Sequence, residues 1–101
     1  MVLEYVRYVV PAERSDEFEA AYGRAQEALS VSEHCRRWEL ARGVEEPENY
    51  ILRIEWDSLE GHEQGFRGSP EFKGFFEAVK PFFGQIQEMK HYEVTGVAGG
   101  S

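Results

Sequence analysis

The chain predicts an α+β domain with the element order β-α-β-β-α-β. Three observations lead to it: an amphipathic helical stretch early in the chain, a pair of alternating strand-like segments around a polar turn at mid-chain, and a phenylalanine-rich helical region followed by one more strand.

Leu3 to Val10, LEYVRYVV, is rich in β-branched and aromatic residues and is stopped by Pro11, so it reads as the first strand. In ERSDEFEAAYGRAQEALS, Ser15 is placed to cap a helix and Asp16 and Glu17 suit the positive end of its dipole. Phe18, Tyr22, Ala25 and Leu29 then recur at helical spacing. From Cys35 to Val44 the chain alternates imperfectly, with Trp38 and Leu40 on one face, and EEPEN supplies turn formers. YILRIEWD alternates cleanly, with Tyr50, Leu52, Ile54 and Trp56 on one face and Ile51, Arg53, Glu55 and Asp57 on the other, so the pair reads as a hairpin. Asp57 or Ser58 is placed to cap a short helix through His62 to Phe66, and Ser69-Pro70 to start another with a cap and a proline at its first position. That second piece carries Phe72, Phe75, Phe76, Val79, Phe82 and Phe83, and Pro81 ends it. IQEMKHYEVTG reads as the last strand. Two right-handed crossovers joined through the hairpin then give a ferredoxin-like, four-stranded antiparallel sheet with both helices on one face.

With 101 residues there is room for one hydrophobic core, expected over 1-97 with a flexible tail at 98-101. Cys35 is the only cysteine, which excludes an internal disulfide and a cysteine metal cluster. With 19 acidic against 11 basic residues the net charge is −8, so phosphate backbones are repelled and no nucleic-acid partner is expected. Apolar runs fall far short of the roughly 20 residues of a membrane span, and the first strand begins without a leader-like stretch, which makes no membrane association and a cytoplasmic location the expectation. There is no glycine-rich phosphate loop, dinucleotide fingerprint or paired-histidine spacing, so no cofactor and no metal are expected. Both parities of the strands carry large apolar residues, Tyr5 beside Val6 and Tyr50 beside Ile51, while helices cover only one sheet face. The other face is therefore expected to pack on a second copy as a homodimer; Arg53 and Glu55 would pair with charges of the partner if that face is buried, and otherwise lie on a hydrated edge.

The run NYILRIEWDSLEGHEQGFRGSPEF resembles the antibiotic biosynthesis monooxygenase family of the dimeric α+β barrel superfamily, most specifically in Trp56-Asp57-Ser58, His62, Ser69-Pro70 and the aromatic run from Phe72. The resemblance implies a homodimer and a cofactor-independent monooxygenase acting on a small aromatic, quinone- or phenol-like substrate. It also implies a pocket in which Trp56 stacks on the ligand. Oxygenases of this kind often carry Asn where this chain has Leu52, and the haem-degrading branch carries an iron-ligating His where this chain has Phe66, which disfavours haem degradation.

His62 lies near Trp56 in sequence, and an unperturbed imidazole suits proton transfer near neutral pH, so it is the candidate catalytic base. Trp56, Leu52, Phe66, Phe76 and His91 are the candidate substrate-binding residues. His34, in a polar loop, reads as structural, and Cys35 lacks the surroundings of a nucleophile. The alternative is a non-catalytic ligand-binding or accessory dimeric module of the same fold, which Leu52 in place of a polar residue favours.

Overall fold

Period-two alternation decides the sheet. In β1 (Val2–Val9) every second residue, Glu4, Val6 and Tyr8, is buried against the helices, while Leu3, Tyr5, Arg7 and Val9 take the other face. The computed structural model describes residues 1–100, so Ser101, the last residue of the expected tail, lies outside the described residues. Four antiparallel strands run in the order β2-β3-β1-β4, with β2 at Cys35–Arg42, β3 at Asn49–Trp56 and β4 at Ile86–Glu93. Helix α1 (Ser15–Val31) carries the chain from β1 to β2 across β3, and the second helical region carries it from β3 to β4 across β1. This is the expected ferredoxin-like arrangement. No helix is long and apolar enough to cross a membrane.

Helix α1 buries Phe18, Ala21, Tyr22, Ala25 and Leu29, the stripe its periodicity predicts. Phe18 is the hub, with ring centroids 4.8 Å from Tyr8 and Tyr50, 5.2 Å from Tyr22 and 5.0 Å from Phe82. Aromatic pairs at these tilted geometries add to the area they bury, so the core is fastened where β1, β3, α1 and the chain before β4 meet.

Several local readings are corrected. Ser15 is the first residue of α1 rather than its cap, because a 3-10 turn at Ala12–Arg14 leads into the helix and the Ser15 hydroxyl donates to the Ala12 carbonyl at 2.9 Å. The second helical region is in two pieces, as expected, but the first is a π-helical turn, Gly61–Phe66, in which the Arg67 N–H reaches the His62 carbonyl at 3.2 Å. Ser58 opens it by accepting the Gly61 N–H at 2.9 Å. Helix α2 covers Glu71–Val79, and the Ser69 hydroxyl turns back to the Phe66 carbonyl at 2.6 Å instead of capping it. A 3-10 turn, Lys80–Gln85, holds Pro81 and buries Phe82, and β4 stops at Glu93.

On the open sheet face Leu3, Tyr5 and Ile51 are half-buried, and Tyr5 meets the exposed Tyr92 edge-on at 6.2 Å. Arg53 and Glu55 find partners within the chain. The β2–β3 register sets Glu39 opposite Arg53, which pairs with it at 2.6 Å and with Glu55 at 3.9 Å.

The π-helical turn is pinned from outside. His34 Nδ1 lies 2.9 Å from Asp57 Oδ2, and this pair nests against the bare backbone of Gly61 and Gly65, where a Cβ at Gly65 would strike the imidazole ring and one at Gly61 the Asp57 carboxylate. The hydrogen bond from His34 holds the Asp57 carboxyl below the ordinary carboxylate range. Replacing Gly65 with Ala is expected to cost about 1–3 kcal/mol by overpacking against His34. Gly74 of α2 has open space around it, so Gly74→Ala should instead stabilise by about 0.5–1 kcal/mol. Urea unfolding of the two variants checks both signs.

Candidate functional site

Strand register assembles the site. Glu4 stands directly opposite His91 in the β1–β4 pairing and opposite Ile54 in the β1–β3 pairing, which puts Trp56, two residues on, diagonally beside it on the helix-facing side. The π-helical turn then lays His62 flat on Trp56, with centroids 4.5 Å apart and planes 14° apart, and Phe66 closes on the same indole at 5.0 Å. Trp56, Glu4 and His62 are 0, 6 and 3 % exposed.

These groups are wired together. The Trp56 indole N–H donates to Glu4 Oε1 at 3.1 Å, His62 Nε2 lies 3.3 Å from the same oxygen, and His62 Nδ1 is 2.8 Å from His91 Nε2. Burial is the main force on both titratable groups. It raises the Glu4 carboxyl, against the pull of the Trp56 hydrogen bond and of His91 and Arg67. It also pushes His62 down to about 3, with the charges of Arg67 and His91 adding to the effect, so the imidazole is neutral at neutral pH.

A cavity of about 80 Å³ lies between sheet and helices, lined by Glu4 and His62 with Leu52, Trp56 and Phe66, by Phe72 and Phe75, and by the exposed Arg67, Phe83 and Met89, which mark where it opens. At its other end the hydroxyls of Tyr8 and Tyr22 are hydrogen-bonded to each other. Burial pushes Tyr8 up to about 12 and Tyr22 higher still, so both stay neutral. A larger groove of about 510 Å³ runs between α1 and the β2–β3 edge. Its polar side chains are paired with one another, Trp38 with Gln26 and Glu19 with both Tyr50 and Arg42, and it holds no titrating pair like Glu4 and His62.

Of the residues singled out from sequence, His62, Trp56, Leu52 and Phe66 meet at the cavity and His91 backs His62. Phe76 stands apart from it, packed on Phe72 and Phe83 under the Lys80 ammonium, while Phe72 and Phe75 supply the aromatic wall. Glu4 and Arg67 were not singled out. A signal for Glu4 was present, since it shares parity with Val6, Tyr8 and Val10, but Arg7 interrupts the opposite parity in the same way. Cys35 has its thiol raised to about 11, mainly by burial, which fits an unreactive side chain.

Glu4, His62 and His91 each offer a metal-ligating atom, and these atoms lie within 4.8 Å of one another. The fit to a single ion is poor. The two nitrogens of His62 are directed at different partners, and 2.8 Å between His62 Nδ1 and His91 Nε2 is a hydrogen-bond distance. Two ligands of one tetrahedral ion at about 2.0–2.1 Å each would stand farther apart.

The fold and this aromatic-lined cavity define a ferredoxin-like α+β domain with an enclosed polar centre. The chain belongs to the antibiotic biosynthesis monooxygenase family, whose model matches residues 1–78. An uncharacterized protein, YczJ of Bacillus subtilis (strain 168), is 29 % identical over 93 residues, covering 92 % of this chain and 98 % of its own. A Bordetella bronchiseptica structure, a candidate antibiotic biosynthesis monooxygenase, is 25 % identical with a TM-score of 0.79, over 93 % of this chain and 96 % of its own. SnoaB of Streptomyces nogalater, described as a cofactor-independent oxygenase, shares the fold with a TM-score of 0.78 at 16 % identity, over 95 % of this chain and 94 % of its own.

The buried imidazole has a consequence for acid stability. The folded state refuses a proton that an unfolded histidine accepts near its ordinary value of 6.5, so this contribution is complete above that pH and is lost as pH falls toward 3. The raised Glu4 carboxyl works the other way, favouring the folded state as it takes up its proton above 4.5. Urea unfolding at about pH 7 and about pH 5 should show stability falling on acidification, with His62 alone contributing up to about 1.4 kcal/mol per pH unit. His62→Gln should flatten that slope.

Proposed function

We propose that this chain is a cofactor-independent monooxygenase of a small, electron-rich aromatic of the quinone or phenol type. The observation that carries the reading is a carboxylate and an imidazole buried side by side in the wall of an apolar, aromatic-lined cavity, both fixed by Trp56. The substrate ring is held against the Trp56–Phe66–Phe72–Phe75 wall and loses a proton to the polar centre. The resulting carbanion or enolate reduces dioxygen directly. A ring methylene plus O₂ passes through a hydroperoxide to a carbonyl plus water, so neither metal nor flavin is needed to balance the step. Arg67 at the mouth favours the substrate anion, and exclusion of water strengthens that attraction. SnoaB, with the same fold, lends the reading its precedent.

Leu52 supplies only apolar surface to the cavity, so the polar work falls to Glu4 on β1 and His62 on the π-helical turn. The second reading, a ligand-binding accessory module, draws on the same cavity and on Leu52. Oxygen-electrode measurements with anthrone- and hydroquinone-type compounds separate the two. Uptake above the buffer rate is expected. Quenching of tryptophan fluorescence without any uptake would leave the binding module.

We also propose that a second copy packs on the open sheet face, through Leu3, Tyr5, Ile51 and Tyr92. Light scattering at micromolar concentration should return a dimer, and Tyr5→Glu, which sets a charge in the middle of that face, should shift it toward the monomer.

A further inference from the structure

His62 has no nitrogen left for a substrate. Its ring lies flat on Trp56, and its two in-plane nitrogens are taken up by Glu4 on one side and His91 on the other. Glu4 is different. Its Oε1 accepts the Trp56 indole N–H and lies 3.3 Å from His62 Nε2, whereas Oε2 has no hydrogen-bond partner among the described residues. No fully buried side-chain polar atom there lacks a partner, so Oε2 faces open space, and Glu4 lines the cavity. His91 is half-buried on the edge strand β4 and does not line the cavity.

We infer that Glu4, His62 and His91 form a proton relay between the cavity and solvent, in which Glu4 Oε2, not His62, takes the proton from the substrate. This rests on the oxygenase reading for its substrate, a carbon or phenol acid of the aromatic class, but the relay itself is a property of the side chains.

Atoms and charges close along the chain. The substrate's proton moves to Glu4 while its bonding pair stays on the substrate. The carboxyl swings and passes the proton to His62 Nε2 as the proton on His62 Nδ1 crosses to His91 Nε2, and His91 releases one from Nδ1 to water. His62 is left as its other tautomer and Glu4 as carboxylate. When dioxygen has added, the peroxide anion needs a proton, and the same steps in reverse bring one in from water and restore the first tautomer. One proton goes out and one returns, so each turnover resets the relay. The 3.3 Å separation of Glu4 and His62 is long for a hydrogen bond, as catalytic contacts often are before a ligand is bound.

Two variants and one spectroscopic measurement test this on the full chain. Glu4→Gln keeps an acceptor for Trp56 and should lower kcat by about 10²–10⁴-fold, with the substrate Kd from fluorescence quenching within about threefold of the parent. His91→Ala should lower kcat by at least about tenfold and recover when imidazole is added as a substitute shuttle. Full activity in Glu4→Gln, or a His91→Ala defect indifferent to imidazole, overturns the relay. Nitrogen-15 NMR of histidine-labelled protein gives a readout independent of turnover. Coupling through the relay requires Glu4→Gln to shift the ring nitrogens of both His62 and His91, and a His91 signal that does not respond overturns it. If the parent protein consumes no oxygen with any aromatic, the oxygenase reading fails by itself, and the NMR result still decides the relay.

Discussion

The site depends on one buried carboxylate. Glu4 projects from a central strand into the apolar side of the sheet, where an unpaired charge would cost several kcal/mol. Its surroundings are arranged around that cost. The Trp56 indole can only donate, and it donates to Glu4. His62 sits within reach of the same oxygen, and Arg67 and His91 add positive character from either side. Removing Glu4 would leave a buried indole N–H without its acceptor and would remove one of the two groups at the nitrogens of the His62 ring.

The neighbouring elements follow from this requirement. Trp56 must end β3 at the row where β1 places Glu4, and the antiparallel register of the central strands does that. His62 must lie flat on the indole, which sets the height and pitch of the π-helical turn over the sheet. A turn with one residue beyond the α-helical count is less stable than a regular helix, and this one is bracketed on its outer side by the His34–Asp57 pair seated on two glycines. The geometry at the centre is thus held by packing at the surface.

Much of the fold was legible in the sequence because the periodicities are strong. Phe18, Tyr22, Ala25 and Leu29 named the buried face of α1, and Tyr50, Leu52, Ile54 and Trp56 that of β3. The first strand was harder, since Glu4 and Arg7 break opposite parities and its core-facing side could not be chosen without its neighbours. Glu4 and His91 are 87 positions apart and become neighbours only through the β1–β4 register, which no local spacing encodes. Arg53 and Glu55 had the same difficulty. Glu39 stands opposite Arg53 and pairs with it only through the β2–β3 register. The Phe72–Phe83 stripe holds more bulky apolar residues than one helix face needs. Which of its rings face the cavity is set by the turn of α2, which presents Phe72 and Phe75 and not Phe76, and by the 3-10 turn that follows, which brings Phe83 to the mouth.

The size of the cavity carries a consequence of its own. An engineered apolar cavity of about 150 Å³ holds benzene, and the space here is about 80 Å³. Even a single-ring guest must therefore spread the walls, and the exposed Phe83 and Met89 are the side chains with the freedom to give way. Occupancy and opening become one event. Such a chamber holds little water while it waits, so the first dipoles that Glu4 meets on opening belong to the guest. A carbanion formed there would meet dioxygen, a small apolar gas that enters protein interiors easily, before it met a proton from bulk solvent.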